Sequence, residues 1–368
     1  MNGEGVPVTA MPFSGSYDSE DATFLLKPVD MPATRIADKE AAIQSGRRHY
    51  SEMIAPEALP SERYLALYHA ALARNGDRLA VDVASLAAHL AARRPGREIV
   101  VVSLARAGTP IGVLLVRTLR AWGHAAHHYS ISIIRDRGID RVALAHIAER
   151  HDPADAVFVD GWTGKGAIAG ELRRSLAGRP LGFAPLLAVV ADPAGQADMA
   201  ATGEDYLIAS GLLNGIVSGL VSRSILNPDF VGEGDFHACV TYPQHAHADL
   251  SRSFVDALAP RAAAAVPRTI DGHAVRRPSL AAECAAMLAD ISDWAGTNDA
   301  NRIKPGIAEA TRALLRRVPE CVLVRDPGDE DVAHIAQLAD EAGIPVDRLD
   351  PKSNYRAITV IRTLGAER

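Results

Sequence analysis

The stretch Ala156-Val-Phe-Val-Asp160-Gly-Trp-Thr-Gly-Lys-Gly-Ala167 constrains this chain more than any other. Ala156 to Val159 are small or apolar and read as a buried strand. Asp160 stands where a carboxylate would leave the C-terminal edge of a sheet. Gly161 to Gly166 form a glycine-rich loop, and from Ala167 the residues Ile168, Leu172 and Leu176 recur at helical spacing. A strand, a loop rich in N–H groups and a helix N-terminus together make an anion site, because unpaired N–H groups and the helix dipole favour negative charge. The loop is not a P-loop, since Lys165 is followed by glycine rather than Ser or Thr, and no G-x-G-x-x-G fingerprint is present. The plain alternative is an ordinary strand–loop–helix turn of an α/β domain.

The flanking pattern sets the fold class. Strands are expected at Glu98–Leu104, His127–Ile134 and Pro185–Ala191, and helices at Gly112–Trp122, Asp140–Arg150 and Ala167–Leu176. Such alternation predicts an α/β fold with an open, doubly wound, mainly parallel sheet. Ligands of these sheets bind beyond the carboxyl ends of the strands. The loops at Ala105, Arg135 and Asp160 all follow strands and should converge on one rim. Arg63–Leu90 reads as two helices broken at Asn75-Gly76-Asp77. Residues 1–60, irregular and with four prolines between Pro7 and Pro32, read as an extended arm. Residues 61–260 would be the main domain, 261–300 a helical linker ending in the polar Gly296–Asn301, and 301–368 a small C-terminal α/β domain. Ser210, Gly211, Ser218 and Ser222 punctuate an apolar segment and suit close packing, against a ligand or another helix.

Composition excludes some functions. A net charge of −6 argues against general coating of nucleic acid and leaves only a local basic patch. No apolar run reaches membrane-span length, and Met1–Pro12 lacks the marks of a signal peptide. The three cysteines, Cys239, Cys284 and Cys321, form no C-x-x-C pair, which fits a cytoplasmic protein. Cys239, His245 and His247 lack characteristic zinc spacing. Cys239 and His237 make no convincing catalytic pair.

Two more loops carry charge. In Ser103-Leu-Ala-Arg106-Ala107-Gly108-Thr109-Pro110, Arg106 would make charge-assisted anion contacts and Gly108 would let backbone approach closely. An ordinary helix start, with Thr109 as cap and Pro110 in the first turn, is the alternative. Arg135 and Arg137 lie in Ile134–Asp140, either a loop closing over the rim or a solvated turn. Asp192, after the next strand, is a weaker candidate for metal or acceptor contact. Near the C-terminus, Lys304, Arg312, Arg316 and Arg317 concentrate positive charge. Arg312 and Arg316 share one helix face, which is either a binding face or a solvated basic helix end.

Taken in order, Ser103–Gly108, Ser132–Asp140, Phe158–Gly166 and Asn214–Arg223 resemble the type I phosphoribosyltransferase-like family linked to tellurium-resistance and stress operons. Members of that family carry a C-terminal Pelota-type RNA-binding domain, and the resemblance covers most of the chain. It implies that Asp160 grips the ribose of 5-phosphoribosyl 1-diphosphate (PRPP), while Gly161, Thr163, Gly164, Lys165 and Gly166 complete its binding loop. Arg106, Ala107, Gly108, Arg135 and Arg137 would hold the diphosphate. Asp160 and Arg106 would be catalytic, with Mg²⁺ at Asp160 and the substrate oxygens. Gly161 stands where the family has a second acid. The expected activity is transfer of ribose 5-phosphate from PRPP to an unidentified acceptor. The alternative is a non-catalytic PRPP or nucleotide sensor coupled to RNA or protein binding. Lys304–Arg312, Cys321–Val324 and Gly343–Val346 resemble the Pelota-type domain. By that resemblance Lys304, Gly306, Glu309, Arg312 and Arg316 would face structured RNA. Some relatives are labelled cysteine proteases. A homodimer is left open as a partner state.

Overall fold

The computed structural model describes residues 10–363. Residues 1–9 of the expected arm and 364–368 of the expected C-terminal domain lie outside the described residues. The main sheet contains β1 (Thr23–Leu25), β2 (Ile99–Leu104), β3 (Ala126–Ile131), β4 (Ala156–Trp162), β5 (Leu187–Ala191) and β6 (Met199–Thr202). Their order is β1-β3-β2-β4-β5-β6, and every neighbouring pair is parallel. β2 and β5 are buried at every position, as strands covered on both faces must be. The alternating residues sort into two cores. Val101, Val157, Val159 and Val190 face one layer, while Val100, Val102, Phe158 and Val189 face the other.

The helices are α1 (Ile36–Gln44), α2 (Glu62–Arg93), α3 (Gly108–Ala121), α4 (Arg141–Ala148), α5 (Ala167–Ser175), α6 (Ser251–Ala264) and α7 (Asp271–Trp294). α2, α3 and α6 pack on one face of the sheet, and α4 and α5 supply the core of the other. Asp140 caps α4, its Oδ1 accepting the N–H groups of Val142 and Ala143 at 3.0 Å each.

Two expectations change here. The arm is part of the sheet, because β1 pairs with β3 from Thr23↔Tyr129 to Leu25↔Ile131. The expected helix break at Gly76 is absent, and α2 runs for 32 residues. Its turn-forming residues serve tertiary contacts instead. A Cβ on Gly76 would lie 3.2 Å from Arg261 Nη1 on α6, so the missing side chain lets α6 close in. The Asn75 amide donates to the Leu207 carbonyl at 2.9 Å and to Asp331 Oδ1 at 2.8 Å.

The C-terminal unit contains β7 (Ile303–Pro305), α8 (Ile307–Arg316), β8 (Pro319–Val324), α9 (Ala333–Glu341), β9 (Val346–Arg348) and β10 (Ala357–Ile361). Its sheet order is β7-β10-β8-β9, with only the β8–β9 pair parallel. α7 is more than a linker, since Cys284 and Ile291 share a core with Ile303, Leu323 and Ile358.

This unit is fastened over the C-terminal rim of the main sheet. Asp205 accepts the Ile307 N–H at the start of α8 at 3.1 Å and the Arg356 N–H at 2.8 Å. Asp331 accepts from Arg74 Nη2 at 2.9 Å, Asn75 Nδ2 at 2.8 Å, the Leu207 N–H at 3.2 Å and Arg356 Nη1 at 3.0 Å. Ile307, Ala310, Val332 and Ile335 extend the main core into the C-terminal unit. Removing the Asp331 carboxylate takes the acceptor from the buried Leu207 N–H, an acceptor from the Asn75 amide and one of two acidic partners each from Arg74 and Arg356, which keep Glu330 and Asp329. Asp331→Ala should therefore lower unfolding free energy by about 3 kcal/mol, read as a shifted midpoint in urea denaturation, with Asp331→Asn losing less.

Candidate functional site

A cavity of about 460 Å³ opens between the rim loop after β4 and α8 of the C-terminal unit. Asp160, Thr163, Gly164, Lys165 and Gly166 line it, together with Arg135, Lys304, Glu309, Arg312 and Arg316. Two groups of residues singled out separately in the sequence thus share one cleft. Arg317 of the same basic cluster also lines it, as do Lys39, Glu40 and Arg223, which sequence reasoning missed as candidates. Lys39 and Glu40 sat in the segment read as an arm, and no spacing links them to the rim.

The rim loop is held from behind. The Thr163 hydroxyl donates to Asp192 Oδ1 at 2.5 Å, and Asp192 Oδ2 lies 2.9 Å from His273 Nε2. Asp192 also accepts the N–H groups of Gln196 and Ala197 at 2.9 Å each. Burial alone would raise the Asp192 carboxyl, but its His273 and Thr163 hydrogen bonds outweigh that and hold it below the usual range. Asp192 is accordingly a fully buried brace rather than an acceptor or metal contact.

The front of the loop faces the C-terminal unit. A Cβ on Gly164 would lie 2.8 Å from Glu309 Cγ, so glycine permits this close approach. Lys165 Nζ donates to the carbonyls of Ala300 and Ile303. Burial, then Arg135, brings its ammonium down to about 8. Gly166 precedes α5 with φ of 80°, the left-handed region that glycine enters freely.

Positive charge dominates the cleft. Burial, followed by Arg223, Arg316 and Arg317, lowers Lys39 to about 7. Burial, followed by Lys165 and Arg317, lowers Lys304 to about 7. Arg223 falls to about 10, chiefly through burial. Burial also lowers Arg312 and Arg316, and Arg106 adds repulsion to both. Arg312 stacks 4.6 Å above the Trp162 ring and pairs with Glu309 at 3.5 Å. Arg312 Nε and Arg316 Nη2 are buried and have no hydrogen-bond partner among the described residues. Glu40 is already committed to Arg317, with Nη2 to Oε1 at 2.8 Å.

Other expected residues lie elsewhere or serve other ends. Arg106 is 7% exposed, pairs with Glu57 at 2.8 Å and donates to the Val221 carbonyl at 2.8 Å. It is built into the rim and not offered to a diphosphate. A Cβ on Gly108 would meet the Val159 carbonyl at 2.2 Å, so this glycine serves helix–strand packing. Ala107 is the residue before α3, and Gly161 faces the Ala107 carbonyl rather than the cleft. Arg137 pairs with Glu52 at 3.1 Å, on the outside. Arg135 reaches the cleft, donating through Nη1 to Asn301 Oδ1 at 2.8 Å and through its N–H to the Tyr50 hydroxyl at 2.9 Å. Gly306 lies under Asp205 and Tyr355. The face of α8 expected to meet RNA is turned inward, because Asp205 seats its first turn and Glu309 packs on Gly164.

The acids do not suit a resident Mg²⁺. Burial raises the Asp160 carboxyl to about 7, outweighing the Gly161 N–H bond and Arg312. Mg²⁺ prefers ionised oxygen ligands, and glycine occupies the position of a second acid. The thiols are also quiet. Burial pushes up Cys239 and raises Cys321 to about 11. Burial raises Cys284 too, and its Sγ lies 3.1 Å from the Tyr355 hydroxyl. Among the described residues no histidine is hydrogen-bonded to a cysteine; His237 Nδ1 lies 2.7 Å from Ser132 Oγ instead.

The lysine shifts carry a pH signature. The unfolded chain keeps Lys39 and Lys304 protonated to higher pH than the folded chain does. It therefore holds more protons from about pH 7 upward, and stability rises with pH in that window. Replacing both lysines by methionine should flatten the rise between about pH 7 and about pH 9 in urea melts.

Known proteins bear on this cleft. Residues 15–259 match the family described as "Tellurite-like stress resistance cysteine protease StiP", and residues 282–363 match the PELOTA RNA binding domain. "Cysteine protease StiP" of Acinetobacter baylyi is 42% identical over 96% of this chain and 95% of its own length. A hypoxanthine phosphoribosyltransferase from Trypanosoma cruzi, solved with its product IMP, covers 48% of this chain and 86% of its own. At 12% identity and a TM-score of 0.28, that likeness supports no argument. The expected transfer of ribose 5-phosphate from PRPP, and the PRPP sensor set beside it, are overturned by relatives that are described as cysteine proteases. The transferase expectation falls with them. By the match over residues 15–259 and the 42% identical relative, the chain belongs to the StiP family of tellurite-like stress resistance proteins.

Proposed function

We propose that the cleft binds a polyanionic ligand whose charges are shared by cations of both units. One observation carries this reading. Arg312 and Arg316 present unpartnered buried guanidinium nitrogens beside Lys39, Lys304 and Arg223, which burial and mutual repulsion already disfavour as cations. A cluster of like charges in low dielectric is costly, and a multivalent anion offsets that cost. The PELOTA match supports RNA as a macromolecular source of such charge. Because the α8 cations face the cleft, RNA reaches them only when the C-terminal unit lifts.

Thermal melts of the full chain at constant ionic strength test this. Inorganic triphosphate should raise Tm in a concentration-dependent way, as any ligand selective for the folded state does. The double variant Lys304→Met, Arg316→Ala should melt higher than the parent without ligand and gain nothing from triphosphate. A structured RNA in a parallel arm should bind more tightly when Arg74→Ala loosens the Asp331 fastening. No triphosphate shift at any concentration would remove the cleft as an anion site.

A second reading, peptide-bond hydrolysis by a cysteine, follows from the description of the family. Cys284 is the best-placed thiol. Lys165, which lines the cleft, lowers its pKa against the effect of burial, and Tyr355 links it to the rim loop through a 2.6 Å bond to the Gly164 carbonyl. In this reading Sγ, as the thiolate that the Lys165 ammonium favours, adds to the peptide carbonyl, and the ammonium gives a proton to the departing amine. Water then hydrolyses the thioester, its proton returning to the Lys165 amine as the thiolate leaves. The rim loop must move first, since Cys284 is 5% exposed. Fluorogenic peptide hydrolysis by Cys239→Ser, Cys284→Ser and Cys321→Ser variants decides the matter. Loss confined to Cys284→Ser supports the assignment, loss confined to another variant moves it, and three active variants exclude a cysteine nucleophile.

A further inference from the structure

At the opposite end of the main sheet from the cleft, three side chains from separate elements converge. Glu98 directly precedes β2, His127 lies in β3, and His151 follows α4. Glu98 Oε1 is 3.0 Å from His151 Nδ1, and Glu98 Oε2 is 3.4 Å from His127 Nε2. One ligand atom from each residue lies within 4.8 Å of the others. We propose that Glu98, His127 and His151 form a site for a zinc-class divalent transition-metal ion.

The chemistry and spacing fit. Two imidazole nitrogens and a carboxylate are a normal donor set for Zn²⁺, which takes ligands at about 2.0–2.2 Å in a tetrahedron. Ligand atoms in such a tetrahedron stand about 3.3–3.6 Å apart, close to the two Glu98–histidine separations of 3.0 and 3.4 Å. The ring centroids of His127 and His151 lie 4.6 Å apart with the planes tilted by 44°, so the two imidazoles are in contact. The outer partner is present as well. His151 Nε2 is 2.9 Å from the Tyr129 hydroxyl, which holds the ring in place; with a metal on Nδ1, Nε2 would carry the proton and donate to that hydroxyl. Tyr129 shares its strand face with His127, two residues away.

Neighbouring cations do not claim the carboxylate. Arg120 donates to the carbonyls of Ala126 at 2.9 Å and Glu20 at 2.7 Å, and Arg150 pairs with Glu149 at 3.2 Å. The side chains are 46% (His127), 28% (Glu98) and 9% (His151) exposed. The His127 side is therefore open for a fourth ligand from solvent, and the His151 side is anchored. A simple ion pair would need only one histidine, and the second imidazole with its hydroxyl-braced neighbour goes beyond that. Nothing in this site depends on the cleft.

Titration of the tag-free full chain with Co²⁺ tests the proposal. One Co²⁺ per chain should bind with the intense visible absorption of a four-coordinate N/O site, and Zn²⁺ should displace it. His127→Ala and Glu98→Gln should each weaken binding by more than about 100-fold, while Tyr129→Phe should weaken it less, by about 10–100-fold. His127 is exposed and Glu98 half-buried, and unchanged melting of both variants without metal would show that they fold. Absence of the absorption in the parent would overturn the site. So would Co²⁺ binding that survives His127→Ala, because the metal would then be held elsewhere, for instance at His245 and His247.

Discussion

The structure depends on two buried carboxylates, Asp205 and Asp331, that fasten the C-terminal unit to the sheet rim. Asp205 accepts the first N–H of α8, which fixes where that helix begins. Asp331 gathers Arg74, Asn75, Leu207 and Arg356, which fixes how it lies. Neither carboxylate touches a cleft cation in the arrangement described, yet together they create the cleft. Without them α8 would carry its arginines to solvent, where like charges are cheap. With them, Arg312 and Arg316 are held in a low-dielectric space opposite Lys39 and Arg223.

That placement connects stability to function. A cavity crowded with poorly compensated cations lowers the stability of the closed form until an anion enters, so anion affinity and stability are two readings of one electrostatic term. It also reshapes the RNA reading of the C-terminal unit, because the residues best suited to phosphate contact are the ones buried against the main domain. The proteolytic description of the family meets a similar barrier, since the thiols are buried and lack histidine partners among the described residues. In both cases the closed form is the resting arrangement, and movement of the rim loop or of α8 is what would expose the chemistry.

The sheet was legible where local pattern and burial agree. Ile99–Val102 of β2, Ala156–Val159 of β4 and all of β5 are runs of Val, Ile, Leu, Phe and Ala because both sheet faces are covered, and such runs stand out in any sequence. The rim loop was legible too, since glycines and a lysine between a strand and a helix leave few alternatives. The reading went wrong where a residue answers to a distant partner. Gly76 looked like a helix break, but α6 needs its missing side chain. Arg106 looked free, but Glu57 neutralises it from a segment read as an arm. Arg312 and Arg316 looked like an outer face, but Trp162 and the rim loop cover them.

The sequence by itself determined the class of fold, the position of the glycine-rich rim loop and the existence of a C-terminal α/β unit carrying a local cluster of basic residues. Each follows from short-range periodicity, turn chemistry or charge, which act within a few residues. Tertiary structure alone decided that the loop and the basic helix face each other, that the arm supplies Lys39 and Glu40 to their cleft, and that Glu98, His127 and His151 meet at the far edge. Those groupings join residues tens to hundreds of positions apart in the chain. Only the packing of helices on the sheet and of the two units on each other brings them together, and no local spacing encodes that.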